Sequence, residues 1–239
     1  MDENNLEDVY LTCEEPFIYK LLITVGGFFG AYTFILRGGV FCNAQTANVV
    51  LFAIALGKAD WTRALHLLLP ISVYFFGSFL SEHLGKTIKK FFFLRWDTLL
   101  IGIEIIIVFI LGLLPKSAPD QICQVALNFI CSMQFNTFRQ VRGTPAATTF
   151  VTNHIRQVGS NFSVYLRKKD DYSKNKLKIH GSMIFYFILG TVLGTVSIKF
   201  FEYKSIWVTC ILLLIIFINL FYADRVIERE MFNRKPRGH

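Results

Sequence analysis

The sequence carries no HExxH, GxSxG or P-loop pattern and no paired acidic motif. The metal-hydrolase, serine-hydrolase and phosphate-loop chemistries that those patterns serve therefore have no foothold, and the chain is not expected to be an enzyme. Cysteine is scarce. Cys13, Cys42, Cys123, Cys131 and Cys210 are odd in number, never stand at CxxC spacing and fall mostly inside apolar segments. That pattern supports neither a disulfide framework nor a zinc site, so they read as small buried hydrophobes. No metal and no cofactor is expected. No basic run alternates with aromatics on a soluble face, which sets nucleic acid aside despite a net charge of +8. The first sixteen residues are acidic and lack the basic n-region of a signal peptide, so the N-terminus is expected to be kept. Carboxylates are almost missing from the long apolar segments, and Glu104 is the one well inside such a segment.

What is present is apolar. Hydrophobic residues make up 53%, aromatic residues 15% (25 of them Phe), and the mean hydropathy is +0.46. One soluble core of this size could not hide that much apolar surface. The expected fold is an all-α polytopic membrane protein, with the lipid bilayer as its first partner. Long apolar segments are read over residues 17–36, 63–84, 98–114, 121–141, 179–200 and 206–223.

Two stretches interrupt them. Arg37 and Gly38–Gly57 run from a pair of glycines through Asn43, Gln45, Thr46 and Asn48 into a helix over residues 44–56. That helix is too short for a bilayer, which needs roughly 20 residues. Residues 143–166 repeat the theme: a Gly/Pro break, then Thr148, Thr149, Thr152, Asn153 and His154, then a helix. Both read as broken or re-entrant elements, which survive at membrane depth only when buried in protein or lining a wet cavity.

A shift of 106 residues lays Thr46-Ala47-Asn48 on Thr152-Asn153-His154, and Gly30-Ala31 on Asn136-Thr137. After a seven-residue insertion, Phe75-Phe76-Gly77 falls on Ile188-Leu189-Gly190. The order of elements also repeats, which points to internal duplication. The expected organisation is an acidic cytoplasmic tail over 1–16, repeat A over 17–115, repeat B over 116–225, and a basic cytoplasmic tail over 226–239. With six spans and two short helices that do not cross, nineteen of the 25 Lys and Arg residues lie on the side of the termini. The positive-inside rule then makes that side cytoplasmic. Three spans per repeat would make the halves inverted.

This order of motifs resembles the signature of the YoaK-like family, a domain-of-unknown-function family of bacterial integral membrane proteins. The resemblance rests on Gly26-Gly27, Ala31, Gly38-Gly39-Val40-Phe41, Thr46 and Asn48, then Met133-Gln134, Asn136, Ala147-Thr148-Thr149 and Thr152. It covers almost the whole chain. Gly30 stands where the family has Asp, Ala47 replaces the Gly of Thr-Gly-Asn, and Asn153 replaces the second-half Gly. The missing carboxylate at position 30 weakens any implied ion coupling there. The resemblance implies about six spans in the bacterial cytoplasmic membrane and supplies no activity.

The expected function is passage of a small polar solute, an anion or weak acid, through a transporter or channel. N–H groups at two half-helix N-termini would meet it near the midplane. Asn43, Gln45, Thr46, Asn48, Asn128, Asn136, Thr148, Thr149, Thr152 and Asn153 would complete its solvation shell. The plainer alternative is that these residues only cap the short helices and satisfy loop backbone. Gln124, Asn128, Ser132, Asn136 and Arg139 form a polar stripe along one helix face. Glu104 is a candidate proton carrier, or else a structural partner of an interior Arg or His or a group facing a neighbouring subunit. His154 is a candidate titrating group near the site, or else a packed imidazole. Arg139, Arg142 and Arg156 attract anions, pair with carboxylates or serve as cytoplasmic anchors. An intramembrane enzyme and a non-transporting scaffold are the alternatives from other classes. Gly26, Gly30, Gly190 and Gly194 form GxxxG faces on which a homo-oligomer could pack.

Overall fold

A computed structural model describes residues 10–87, 94–231 and 236. The fold is helical. Helices α1 (Pro16–Leu36), α2 (Gln45–Gly57), α3 (Trp61–Thr87) and α4 (Trp96–Leu113) are followed by α5 (Asp120–Thr137), α6 (Thr152–Lys168), α7 (Asp171–Phe201) and α8 (Trp207–Tyr222). Four stretches are long and apolar enough to cross a membrane: Pro16–Leu36, Trp61–Gly85, Trp96–Leu113 and Asp171–Ile227, the last holding both α7 and α8. The polar stripe keeps α5 out of that group. Large apolar side chains such as Leu65, Phe75, Ile106, Phe185 and Phe200 cover the outside. A surface of that kind is compatible with a bilayer.

Three boundaries differ from the expected ones. Helix α5 stops at Thr137 rather than continuing to residue 141. The chain then turns through a hairpin of β1 (Gln140–Val141) and β2 (Thr144–Pro145). Arg142 and Gly143 both have positive φ there, as a two-residue hairpin turn requires. Helix α7 starts at Asp171, inside the expected hydrophilic connector, because Asp170 caps it by accepting the Ser173 N–H at 2.7 Å. The N-terminal segment is docked, not free, from Leu11 onward. Leu11, Cys13 and Glu14 are buried, and Thr12 donates through its hydroxyl to Glu228 at 2.7 Å. The expected basic connector 86–95 and both expected tails lie partly outside the described residues.

Contacts fix the helix directions. Gly190 of α7 packs on Thr24 of α1, and Gly194 on Phe28, so these helices run parallel. Gly77 of α3 packs on Phe129 and Ser132 of α5, and Ser81 bonds Met133 O and Thr137, which makes this pair parallel too. Helices α4 and α8 are antiparallel, joined through Thr98–Asp224 at one end and Phe109–Trp207 at the other. Helices α1 and α5 are antiparallel as well: Tyr19 Oη accepts the Gln140 N–H, while Gln124 donates to Arg37 O.

The glycine faces are consumed inside the chain. A Cβ on Gly27 would stand 2.2 Å from Phe187 O, and one on Gly190 would stand 2.0 Å from Thr24 O. Those faces, read as homo-oligomer surfaces, instead bring α1 and α7 into backbone contact.

Candidate functional site

The first break follows directly from its glycines. Gly38 and Gly39 take positive φ after α1, which lets the chain fold back before α2 begins. Asn43 then returns to α1 and donates to Gly26 O at 2.8 Å. Gly30 faces the same amide, and a Cβ there would be 3.2 Å from Asn43 Nδ2. The second break closes on α1 from the other half. Gly26 faces the backbone of Thr148 and Thr149.

Between them lies a cavity of about 370 Å³. Phe41, Asn43 and Ala44 line it from the first break, and Phe150, Val151 and Thr152 from the second. Its side walls come from α1 (Gly27, Gly30, Phe34) and α7 (Phe187, Thr191, Thr195). The walls are almost wholly apolar; Asn43, Thr152, Thr191 and Thr195 are the polar residues among them, and the Thr191 and Thr195 hydroxyls donate to helix carbonyls.

Neither α2 nor α6 receives a side-chain cap, but the other half of the plain alternative holds in part, since Asn43 donates to Gly26 O and Asn48 to Phe41 O. The first N–H groups of each helix have no intrahelical acceptor. The two uncapped helix starts, Ala44–Gln45 and Val151–Thr152, both border the cavity region.

The remaining candidates are distributed unequally. Asn48 is fully buried and donates to Phe41 O at 2.7 Å and to Gln45 Oε1 at 3.2 Å, with its own Oδ1 unpartnered. Gln45 passes the connection on to Asn128 Oδ1 at 2.6 Å, and Asn128 donates to Gln124 O at 2.7 Å. Gln124 donates to Arg37 O at 2.7 Å. These amides therefore form a structural relay from α2 through α5 to the end of α1, away from the cavity walls. Thr46 is exposed and is not among the cavity-lining residues. Thr148 and Thr149 are fully buried, and neither hydroxyl has a hydrogen-bond partner.

His154 is buried at the start of α6. Its Nε2 stands 2.9 Å from Ala147 O and its Nδ1 stands 2.9 Å from Nδ1 of His180 on α7. The carbonyl can only accept, so His154 carries its proton on Nε2 and His180 carries one on Nδ1. Burial holds the His154 imidazole below its ordinary proton affinity. His180 is the residue that sequence reasoning missed here; its partner is 26 positions away, and helix periodicity carries no sign of it.

The three arginines are anchored. Arg139 pairs with Glu82 of α3, and its Nε donates to Asn136 O at 2.7 Å. Asn136 itself donates to Ser78 O and Glu82 at 3.4 Å. Arg142 pairs with Glu15 at 2.7 Å. Arg156 donates to Asn153 Oδ1 at 2.9 Å. Glu104 is fully buried on α4, and neither carboxyl oxygen has a hydrogen-bond partner. It is not among the cavity-lining residues.

Two charged clusters were not foreseen. Arg95 is buried with Glu228 and Asp224, and ties the start of α4 to the end of the chain and to Thr12. Arg37 is buried between the rings of Tyr203 and Tyr32, with its guanidinium 4.4 Å from the Tyr203 centroid, and pairs with Asp120. Both join groups far apart in sequence.

The model of a family described as Protein of unknown function (DUF1275) matches residues 18–219. That match agrees with the resemblance to the YoaK-like family. No curated protein matches the chain, and no solved structure does.

Proposed function

The chain belongs to the DUF1275 family, and we propose that it passes a small anionic or weakly acidic solute across the bacterial cytoplasmic membrane. The observation that carries this reading is the cavity of about 370 Å³ on which the starts of both short helices converge. Uncapped N-termini favour negative charge and offer free N–H donors. The apolar walls, with no basic residue among the described residues that line them, favour a solute with an apolar body and one charged head.

The architecture proposed for it is two inverted repeats with six spans and two re-entrant helices. Matched contacts support this. Asn48 donates to the carbonyl seven residues before it, and so does His154. Gly77 packs on α5 and Gly190 on α1 at positions related by the 106-residue shift plus the seven-residue insertion. Arg37–Asp120 links the end of α1 to the start of α5, while Arg142–Glu15 links the segment after α5 to the start of α1. The excess of Lys and Arg at the Arg142 end favours the cytoplasmic side for it.

The test is a thermal-shift screen of the purified protein against small anions and weak acids. Flux of the binding anions into proteoliposomes follows. Passage above that of protein-free vesicles, weakened by Thr152→Val, is expected. Binding without passage, or no binding by any member of the screen, sinks the transport reading.

A further inference from the structure

Helix α4 places one carboxyl group in an otherwise apolar stripe. Leu100, Ile101, Val108 and Leu111 are buried on the same helix face as Glu104, which has no exposed surface. Both Glu104 oxygens lack a hydrogen-bond partner among the described residues. The elements packed on α4 are α5, α8 and the turn Glu202–Ile206, and none brings it a counter-charge. Helix α5 brings Cys131 within electrostatic reach, and its one charged residue, Asp120, pairs with Arg37 at the helix start. Helix α8 has no charged residue. Toward the ends of α4, Asp224 is held by Thr98 and Arg95, and Glu202 pairs with Lys116. An ionised carboxylate would lose its hydration there with no partner in exchange, so the folded chain holds Glu104 as the neutral acid.

Cys131 links this carboxyl group to the breaks. Its Sγ is 3.9 Å from Sγ of Cys42, and Cys42 directly precedes Asn43, which lines the cavity. Further buried polar atoms near the breaks also lack partners: Asn48 Oδ1, the Thr148 and Thr149 hydroxyls, and both ends of the Gln134 amide, one turn from Cys131 on α5. Buried polar groups are as a rule satisfied by protein or by water. We infer that Glu104 is a proton-binding site and that a proton crosses together with each anion. The second part rests on the transport reading; the first does not. Glu104 gives its proton to water that reaches it past these orphaned groups and takes it back by the same route. Negative charge on Glu104 and on a solute in the cavity would repel across an interior of low dielectric constant. The anion is therefore held best while Glu104 is protonated, and passage of the two together moves no net charge.

The proton site is read by infrared spectroscopy of the purified full chain in detergent. The parent should show the carbonyl stretch of a protonated carboxyl group free of hydrogen bonds, and Glu104→Gln should lack it. On transfer to heavy water the parent band should shift, because the acid proton exchanges with solvent. No such band in the parent, or the same band in Glu104→Gln, overturns the inference. So does a band that never shifts in the folded protein, since that marks a sealed structural acid. If Glu104→Gln does not accumulate, Glu104→Leu, which continues the apolar stripe, replaces it in both measurements.

The coupling is read in proteoliposomes that enclose a pH-sensitive dye, with benzenesulfonate outside. This anion has an apolar body and one charged head, and its conjugate acid is too strong to carry a proton through the bilayer by itself. Its uptake by parent vesicles should acidify the interior. Glu104→Gln should bring acidification down to the level of protein-free vesicles. Uptake without acidification, or equal acidification by the variant, overturns the coupling. If neither benzenesulfonate nor any other anion of the screen passes, the transport reading falls, and the shift in heavy water alone decides proton binding at Glu104. Anion passage with no exchangeable proton at Glu104 keeps the transport reading and removes the proton site.

Discussion

Asn48 and His154 stand 106 residues apart, and each closes the same loop. Asn48 donates to Phe41 O at 2.7 Å and His154 to Ala147 O at 2.9 Å, both seven residues back. An amide and an imidazole thus do one job at the starts of α2 and α6. His154→Asn should keep the bond and cost less than about 1 kcal/mol, whereas His154→Leu should cost roughly 1–3 kcal/mol by orphaning the carbonyl and His180. Chemical or thermal unfolding in detergent reads both. Equal losses would mean that packing, not the bond, sets the cost.

The same residue predicts a pH dependence. Burial lowers the proton affinity of folded His154, so the unfolded chain binds the proton more tightly. The stabilising contribution is full above the ordinary imidazole value of about 6.5 and is lost as pH falls through and below it. The melting temperature of the parent should decline in that window more steeply than that of His154→Asn. Parallel curves would show that other groups govern the acid limb.

Asn48 and Thr152 should behave oppositely. Asn48 is fully buried and bonded, so Asn48→Leu should lower stability by roughly 1–3 kcal/mol. Thr152 is exposed and lines the cavity, so Thr152→Val should leave stability within about 0.5 kcal/mol. It should reduce anion affinity roughly tenfold, the size of one hydrogen bond to a charged group. A stable, fully active Asn48→Leu would contradict this division.

Glycine positions separate in the same way. Gly190→Ala forces a methyl group against Thr24 O and should cost about 1–3 kcal/mol through separation of α1 and α7. Gly159 in α6 has open space, so Gly159→Ala should gain roughly 0.5–1 kcal/mol from helix propensity alone. Melting curves of the two variants should move in opposite directions.

Arg95 is buried between Glu228 and Asp224. Arg95→Met keeps the bulk and leaves two buried carboxylates without their cation. A loss of roughly 3–5 kcal/mol and undocking of the segment around Thr12 are expected. Limited proteolysis after residue 10 detects the second effect. Unchanged protection would show that the segment is held by Leu11 and Cys13 packing instead.

The local features were legible in the sequence because each has a local cause. Glycines at 38 and 39 break α1, the short apolar run after residue 44 makes α2, and the polar spacing from Gln124 to Arg139 marks one face of α5. The 106-residue spacing between Thr46-Ala47-Asn48 and Thr152-Asn153-His154 is a property of the sequence itself, since it compares residues with residues. What each face meets was not. The GxxxG spacing announces close approach but not the partner, and only the folded chain brings Gly190 to Thr24. The α5 stripe announces buried polar contacts. Its amides nevertheless join helices to one another, while Thr152 and Asn43 reach the cavity. Arg95, Arg37 and His180 gave no sign, because a charge or an imidazole shows its role only through a neighbour supplied from a distant part of the chain. Helix period and turn chemistry are properties of neighbouring residues; which helix each glycine or polar face meets depends on packing between helices more than fifty residues apart, and tertiary structure alone decides it.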